Sequence, residues 1–464
     1  MSESILLQPL FAVSEQLRRG EISSAELVEL TLSRIERLNP RLHALIRVSP
    51  ESARETARLL DAELRRGQWR GPLHGVPVTV KDILATKGQI TTGGSQVLRH
   101  WVPDRDAVAV QRLREAGAVI VGKANLHEFA MGATTENPYY GNAKNPWNLD
   151  LIPGGSSGGS AVAVATGMGY ASLGSDTAGS IRLPAAMCGI VGLKPTYDLV
   201  ERDGCLPFSW SLDHVGPMAR RVEDVRLLLD ALVRPDHPRR PRPSGQERGD
   251  LSGLRIGLVR GYGFEAMDEE MAAVGLAALE VMTRLGARRV ELELPHLAEA
   301  ENALRTIAQA EAWAFHAPIY RRKPELYGAD VRYRLQFGQQ VTAEAYVNAQ
   351  RMRRRFLQAV LEGMRQVDVW CLPTNIRPPF RIGSVPPEQA INNMFTLGRT
   401  PLANLLGFPA LTIPVGFTRH GLPCGLQLIG PAYSDWKLLA IAKVIEEAIP
   451  SHQALIENRR YEAS

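Results

Sequence analysis

Apolar residues recur along the chain in two rhythms. Behind Ser23-Ser-Ala-Glu26, a capping box in which serine and glutamate satisfy each other's backbone N–H groups, Leu27, Leu30, Leu32 and Ile35 fall at near-helical spacing. The first seventy residues therefore predict helices. From Pro72 the rhythm shortens. Val76-Pro-Val-Thr-Val80 and Ala118-Val-Ile-Val121 are compact apolar runs that predict strands, with a helix over Ala107–Ala116 between them. The pattern resumes at Leu254-Arg-Ile-Gly-Leu-Val259, a strand followed by a helix from about Met267 to Leu285. Between Thr342 and Met364 the positions Tyr346, Ala349, Met352, Phe356, Ala359 and Val360 share one helix face, leaving Arg351, Arg353, Arg354 and Arg355 as its solvated side. Two further strands, at Ala410–Val415 and Gly425–Gly430, precede a last helix around Trp436–Ala448. Strands alternating with helices predict an α/β sheet.

Composition narrows the possibilities. A 464-residue chain with 45% hydrophobic and 22% charged residues is an ordinary globular sequence. A net charge of +5 spread over this length is not the concentrated basic face of a nucleic-acid binder. No apolar run reaches the ~18–20 residues needed to span a bilayer, so no membrane partner is expected. The opening MSESILLQPLF has no basic region before its apolar stretch, unlike a signal peptide. Cys188, Cys205, Cys371 and Cys424 are scattered and form no CxxC pair, which fits reduced thiols in a cytoplasmic protein. No His, Cys and carboxylate cluster has metal spacing, so neither metal nor cofactor is expected. The proline- and arginine-rich stretch over 234–250 is polar enough to be an exposed connection within one domain.

The most purposeful stretch is 153–183, PGGSSGGSAVAVATGMGYASLGSDTAGSIRL, where two serine clusters sit in a glycine-rich frame interrupted by apolar runs. Serine is a nucleophile once a base activates it. Gly154-Gly-Ser156-Ser-Gly158 fits the GxSxG elbow pattern, but glycine-rich runs match it cheaply, and His214, His296, His316 and His420 lie in no distinctive setting for a triad. Gly117–Lys123 resembles a phosphate loop but is followed by Ala124, where a hydroxyl should bind magnesium. Lys81, at the end of an apolar strand, is a candidate base. Its amine would need to fall by ~3.4 units from the free value to accept a proton at pH 7, a cost of about 4–5 kcal/mol that burial can supply.

Together these segments resemble the amidase signature family. The chain carries GVPVTVKD at 75–82, GKANLHEFAMGATTENPYYGNAKNPWN at 122–148, PGGSSGGSAVAVATG at 153–167, GSDTAGSIRLPAAMCGIVGLKPT at 174–196 and SLDHVGPMAR at 211–220. The resemblance runs from about residue 10 to 450. It implies a single α/β/α layered domain over 1–464, with a mostly mixed central sheet covered by helices on both faces. Within it, 1–70 supply N-terminal helices, 72–220 the signature core and 251–464 the remainder of the α/β core. It implies that Ser180 is the nucleophile, Ser156 (after a cis Gly155–Ser156 bond) the proton relay and Lys81 the base, in an acyl-enzyme route to cleaving the C–N bond of amides. Esters and carbamates are substrates of some members. Backbone N–H groups of Thr177, Ala178, Gly179 and Ser180 form the expected oxyanion hole, while Ser157, Ser175, Asp176 and Arg182 position the loops. Many members have glycine where this chain has Ala178, so a positive φ there would be strained. The acyl pocket is expected to be walled by Phe129, Met131, Gly132 and Trp210 and by the segment 373–394, suiting neutral aliphatic or aromatic substrates. The expected partner is a small amide, ester or carbamate, acted on by a monomer or homodimer. The alternative within the family is the glutaminase (A) component of a tRNA-dependent amidotransferase. Its pattern places an arginine at Arg353 and an acidic residue where this chain has Leu397. Without that acidic partner the ammonium group of glutamine would go unpaired, which favours a stand-alone amidase.

Overall fold

The computed structural model describes residues 3–240 and 249–449. Of the 234–250 connection, 241–248 lie outside the described residues, and the flanking residues are mostly exposed. Eleven strands form one sheet: β1 (Leu45–Val48), β2 (Pro77–Lys81), β3 (Val119–Ala124), β4 (Ala171–Asp176), β5 (Val191–Lys194), β6 (His214–Ala219), β7 (Arg255–Val259), β8 (Arg288–Leu292), β9 (Val369–Pro373), β10 (Ala410–Phe417) and β11 (Pro423–Ile429). Their spatial order is β1-β3-β2-β4-β6-β5-β10-β11-β9-β7-β8. β2 runs parallel to both β3 and β4, and β7 to both β8 and β9, while the remaining neighbours are antiparallel. The sheet is mixed, as the α/β expectation required.

Alternation along the strands divides the core. In β3, Val119 and Val121 join a cluster with helices Ser24–Leu42 and Gly158–Ala165, whereas Ile120 joins a second cluster with helices Val108–Glu115 and Val222–Leu232. Successive strand residues point to opposite faces, so the two clusters are the two helix-covered faces. A third cluster packs helix Leu297–Tyr320 and helix Ala343–Gly363 over the β7–β9 end, around Trp370 and Phe356.

Ser23 caps helix Ser24–Leu42 as its sequence implies, with Glu26 N–H donating to Ser23 Oγ at 3.1 Å and Ser23 N–H to Glu26 Oε2 at 2.9 Å. The helical reading of the first seventy residues needs one correction, because β1 interrupts it. Arg353 is another: Arg351, Arg354 and Arg355 are exposed, fully or in part, but Arg353 turns inward and donates to the Leu405 carbonyl at 2.7 Å. No helix among the described residues is long and apolar enough to cross a membrane.

Candidate active site

Parallel neighbours bring their C-terminal ends to the same sheet edge, where open α/β sheets hold their ligands. Val80 of β2 pairs with Leu173 of β4, so Lys81 ends its strand beside Ser175. The Lys81 side chain is fully buried, and its Nζ lies 2.7 Å from Ser156 Oγ and 2.9 Å from Ser175 Oγ. Burial removes the water that would solvate an ammonium. It brings the amine down to about 7, against the pull of Cys205, Asp176 and Asp213. Both hydroxyls can accept from an ammonium or donate to a neutral amine, so the pair can take up and return a proton without rearranging.

Two turns deliver the serines. Ser156 stands just before helix Gly158–Ala165, and the Gly155–Ser156 peptide is cis. Thr135 holds this turn: its Oγ1 donates to the Gly154 carbonyl at 2.8 Å and accepts from Gly158 N–H at 3.0 Å. A side chain at Gly155 would place a Cβ 2.7 Å from Thr134 N, so that position admits only glycine. Ser180 lies between β4 and helix Arg182–Cys188, and its carbonyl accepts from Ser157 N–H at 3.1 Å, tying the two turns together. Ser157 Oγ in turn donates to the Ser175 carbonyl at 3.1 Å. Among the described residues no histidine side chain hydrogen-bonds the Ser156 or Ser180 hydroxyl.

Asp176 and Arg182 organise the Ser180 turn. The carboxylate accepts from Gly179 N–H at 2.7 Å and Ile181 N–H at 3.1 Å, and from Arg182 Nε at 3.1 Å and Nη2 at 3.0 Å. Burial alone would raise this carboxyl, but the Arg182 guanidinium, with Lys194 and Asn404 beside it, holds it well below the usual carboxylate range. Arg182 also donates to Thr400 O and Gln427 Oε1 at 2.8 Å each and to Asn404 Oδ1 at 2.6 Å. Sequence reasoning does not single out Thr135, Thr400 or Asn404. Thr135 lies in plain view inside a matching segment, but nothing local marks Thr400 or Asn404 as partners of a turn some 220 residues earlier.

The turn modifies the oxyanion-hole expectation. Gly179 N–H is committed to Asp176, so it is not free to receive a developing negative charge. Thr177, Ala178 and Ser180 N–H make no hydrogen bond within the described residues. Strain at Ala178 does not arise, since the positive φ falls on Gly179, at 134°. There a Cβ would lie 1.9 Å from Thr400 Oγ1.

Ser180 lines a cavity of about 280 Å³, while the buried Lys81 and Ser156 are outside its lining. Met131 and Gly132 line it as expected, with Thr177, Ala178, Phe208, Leu304 and Phe395, and Ala390, Ile391, Asn392 and Met394 supply a further side. Two expected wall residues do not. Trp210 is 61% exposed and away from the lining. Phe129 is buried and outside the lining, packed with the wall residue Met131 and with its ring 4.5 Å from that of His316 and 5.7 Å from that of Tyr327. Among the described residues the lining contains Arg305 and Arg334 but no aspartate or glutamate, which the apolar reading of this pocket missed.

A fully buried lysine held against two serine hydroxyls, next to a serine turn that lines a small cavity, fits an enzyme of the amide-cleaving class. The amidase family pattern matches residues 26–439, and the chain belongs to that family. It is 40% identical over 480 residues to the A component of the glutamyl-tRNA(Gln) amidotransferase of Nitratidesulfovibrio vulgaris (strain DP4), covering 95% of this chain and 96% of that one. A crystal structure of an amidase is 35% identical, with a TM-score of 0.87 over 95% of this chain and 100% of the other. The corresponding amidotransferase component of Thermotoga maritima is 34% identical, with a TM-score of 0.76 over 92% of each chain. The protein is therefore an amide C–N hydrolase or an amidotransferase component. The curated relatives fit the amidotransferase alternative better than the stand-alone amidase expected from sequence.

Proposed function

We propose that the protein hydrolyses amides through an acyl-enzyme on Ser180, with Lys81 as base and Ser156 as relay. The observation that carries this reading is the 2.7 Å contact between a water-excluded amine and Ser156 Oγ. Neutral Lys81 takes the Ser156 proton as Ser156 takes that of Ser180, whose Oγ attacks the carbonyl carbon. The C–N bond breaks as Ser156 gives its proton to the leaving nitrogen and recovers one from Lys81. Water then repeats the sequence on the ester and releases the acid. The unengaged N–H groups of Thr177, Ala178 and Ser180 are the donors available to the oxyanion, each worth ~3–4 kcal/mol in comparable sites. Ser180→Ala should abolish turnover of a p-nitroanilide, and a serine-directed fluorophosphonate should label the wild type at Ser180 only. Labelling elsewhere, or a variant at wild-type rate, removes the mechanism.

Between the two members of the family, the cavity supports a stand-alone amidase. Glutamine carries an ammonium group, and a lining with two arginines and no carboxylate offers it no partner. Arg353 is occupied by the Leu405 carbonyl at 2.7 Å and the Ser211 carbonyl at 3.2 Å, and Leu397 packs with Ala133, Leu183 and Met187 in an apolar cluster. The amidotransferase reading is kept because of the curated relatives. Ammonia release from glutamine, together with co-purification of further polypeptides, would decide for it. Failure of both, with turnover of simple amides, decides for the amidase.

A further inference from the structure

Two arginines line the cavity beside Ser180, and their surroundings differ. Arg334 is neutralised. Its Nε donates to Asp330 Oδ1 at 2.9 Å and its Nη2 to the Ala390 carbonyl at 2.7 Å. Arg305, on helix Leu297–Tyr320, makes no side-chain hydrogen bond and no ion pair among the described residues, and its Nε is buried without a partner. One face of its guanidinium lies 4.0 Å from the centroid of the Phe395 ring, another cavity wall. Stacking fixes the plane of the fork and leaves its edge N–H groups unspent, and a buried donor left unsatisfied costs free energy until something accepts from it. A planar carboxylate matches that edge with two parallel hydrogen bonds, and arginine suits such recognition better than lysine. The lining brings no competing carboxylate of its own. With one unneutralised cation the complement is a single negative charge. A volume of about 280 Å³, just below the ~300–1,000 Å³ of drug-sized pockets, suits a short chain.

We propose that Arg305 is a specificity-determining residue that receives a carboxylate at the far end of the substrate's acyl group, so that the preferred substrates are monoamides of short dicarboxylic acids. This rests on the amide-hydrolase reading above and names its substrate class. It replaces the neutral acyl group expected from the apolar pocket residues alone.

The test compares two anilides on the purified full-length protein: the mono-p-nitroanilide of glutaric acid, and 5-methylhexanoyl p-nitroanilide, in which an isopropyl group stands for the carboxylate. Wild type should favour the acid by about 10- to 100-fold in kcat/KM, mostly through KM, the range of a charge-assisted hydrogen bond. In Arg305→Gln the ratio of the two kcat/KM values should fall to near one, and Arg305→Lys should recover part of it. A wild type that hydrolyses the neutral anilide as well as or better than the acid overturns this inference alone. So does an Arg305→Gln protein in which both rates fall by the same factor and the ratio persists. A wild type that cleaves neither anilide overturns the amide-hydrolase reading, and the inference with it.

Discussion

Two lysines on adjacent parallel strands make an instructive pair. Lys81 ends β2 and Lys123 lies in β3, and neither is exposed. Register separates them: Lys81 pairs with Ala124, while Lys123 pairs with Val80. An offset of one residue turns a side chain to the other face of a sheet, so the two amines point to opposite sides. On its side, Lys123 meets the Asp82 carboxylate at 3.5 Å, the Leu84 carbonyl at 2.6 Å, and Thr86 and Thr91 hydroxyls at 2.8 and 3.0 Å. That shell is built for a cation. Among the described residues Lys81 Nζ hydrogen-bonds only two hydroxyls, which serve either protonation state. Burial lowers both amines, Lys81 to about 7 and Lys123, held up by Asp82, to about 8. The two amines are equally deep, so what separates them is the identity of their acceptors.

The contrast can be broken most directly by exchanging each amine for methionine. Lys81→Met should lower kcat on an anilide by about 10⁴-fold or more, as when any one member of a catalytic unit is removed, while chemical denaturation changes by no more than about 1–2 kcal/mol. Lys123→Met should do the reverse, costing about 3–5 kcal/mol of stability, because Asp82 is left as an uncompensated buried charge. If Lys123→Met folds as firmly as wild type, the cation reading of that side is wrong. Ser156→Ala should reduce kcat by about 10²–10³-fold, the range of a proton-transfer contribution, with water taking over part of the relay. The smallest effect is titration of the wild type. In the proposed mechanism Lys81 enters neutral, so log kcat/KM should rise with unit slope up to pH about 7 and level off above it. A profile flat from pH 5 to 8 would mean another group supplies the base.

Most of the framework is legible because the chain repeats simple periods. The β2, β3, β7, β10 and β11 runs are compact and apolar, and the helix Ala343–Gly363 shows one regular stripe with Thr342 as its cap. The serine turns are legible because their glycines and hydroxyls are contiguous in sequence. What escapes has physical causes. Helix Leu297–Tyr320 spreads many alanines around its circumference and carries Pro318 inside, so it shows no narrow stripe. Arg305 looks there like any surface cation, and its unpaired state depends on Phe395, ninety residues on. Arg353 departs from its arginine-rich neighbours because one position on the same turn faces Leu405 rather than water. Trp210 suggests a pocket wall by its apolar character, although single exposed apolar side chains are common.

Gly179 carries one more lesson. The Thr400 hydroxyl that fills the space of its absent side chain donates to the Ala178 carbonyl at 2.6 Å, and the same residue's carbonyl receives Arg182. The Ser180 bend is thus propped by a strut arriving from far along the chain. A fragment stopping at residue 220 would contain Lys81, Ser156 and Ser180 yet lack the brace that shapes their meeting. The recognisable stretch is no portable cassette: its second serine turn is shaped by a residue some 220 positions further along the chain.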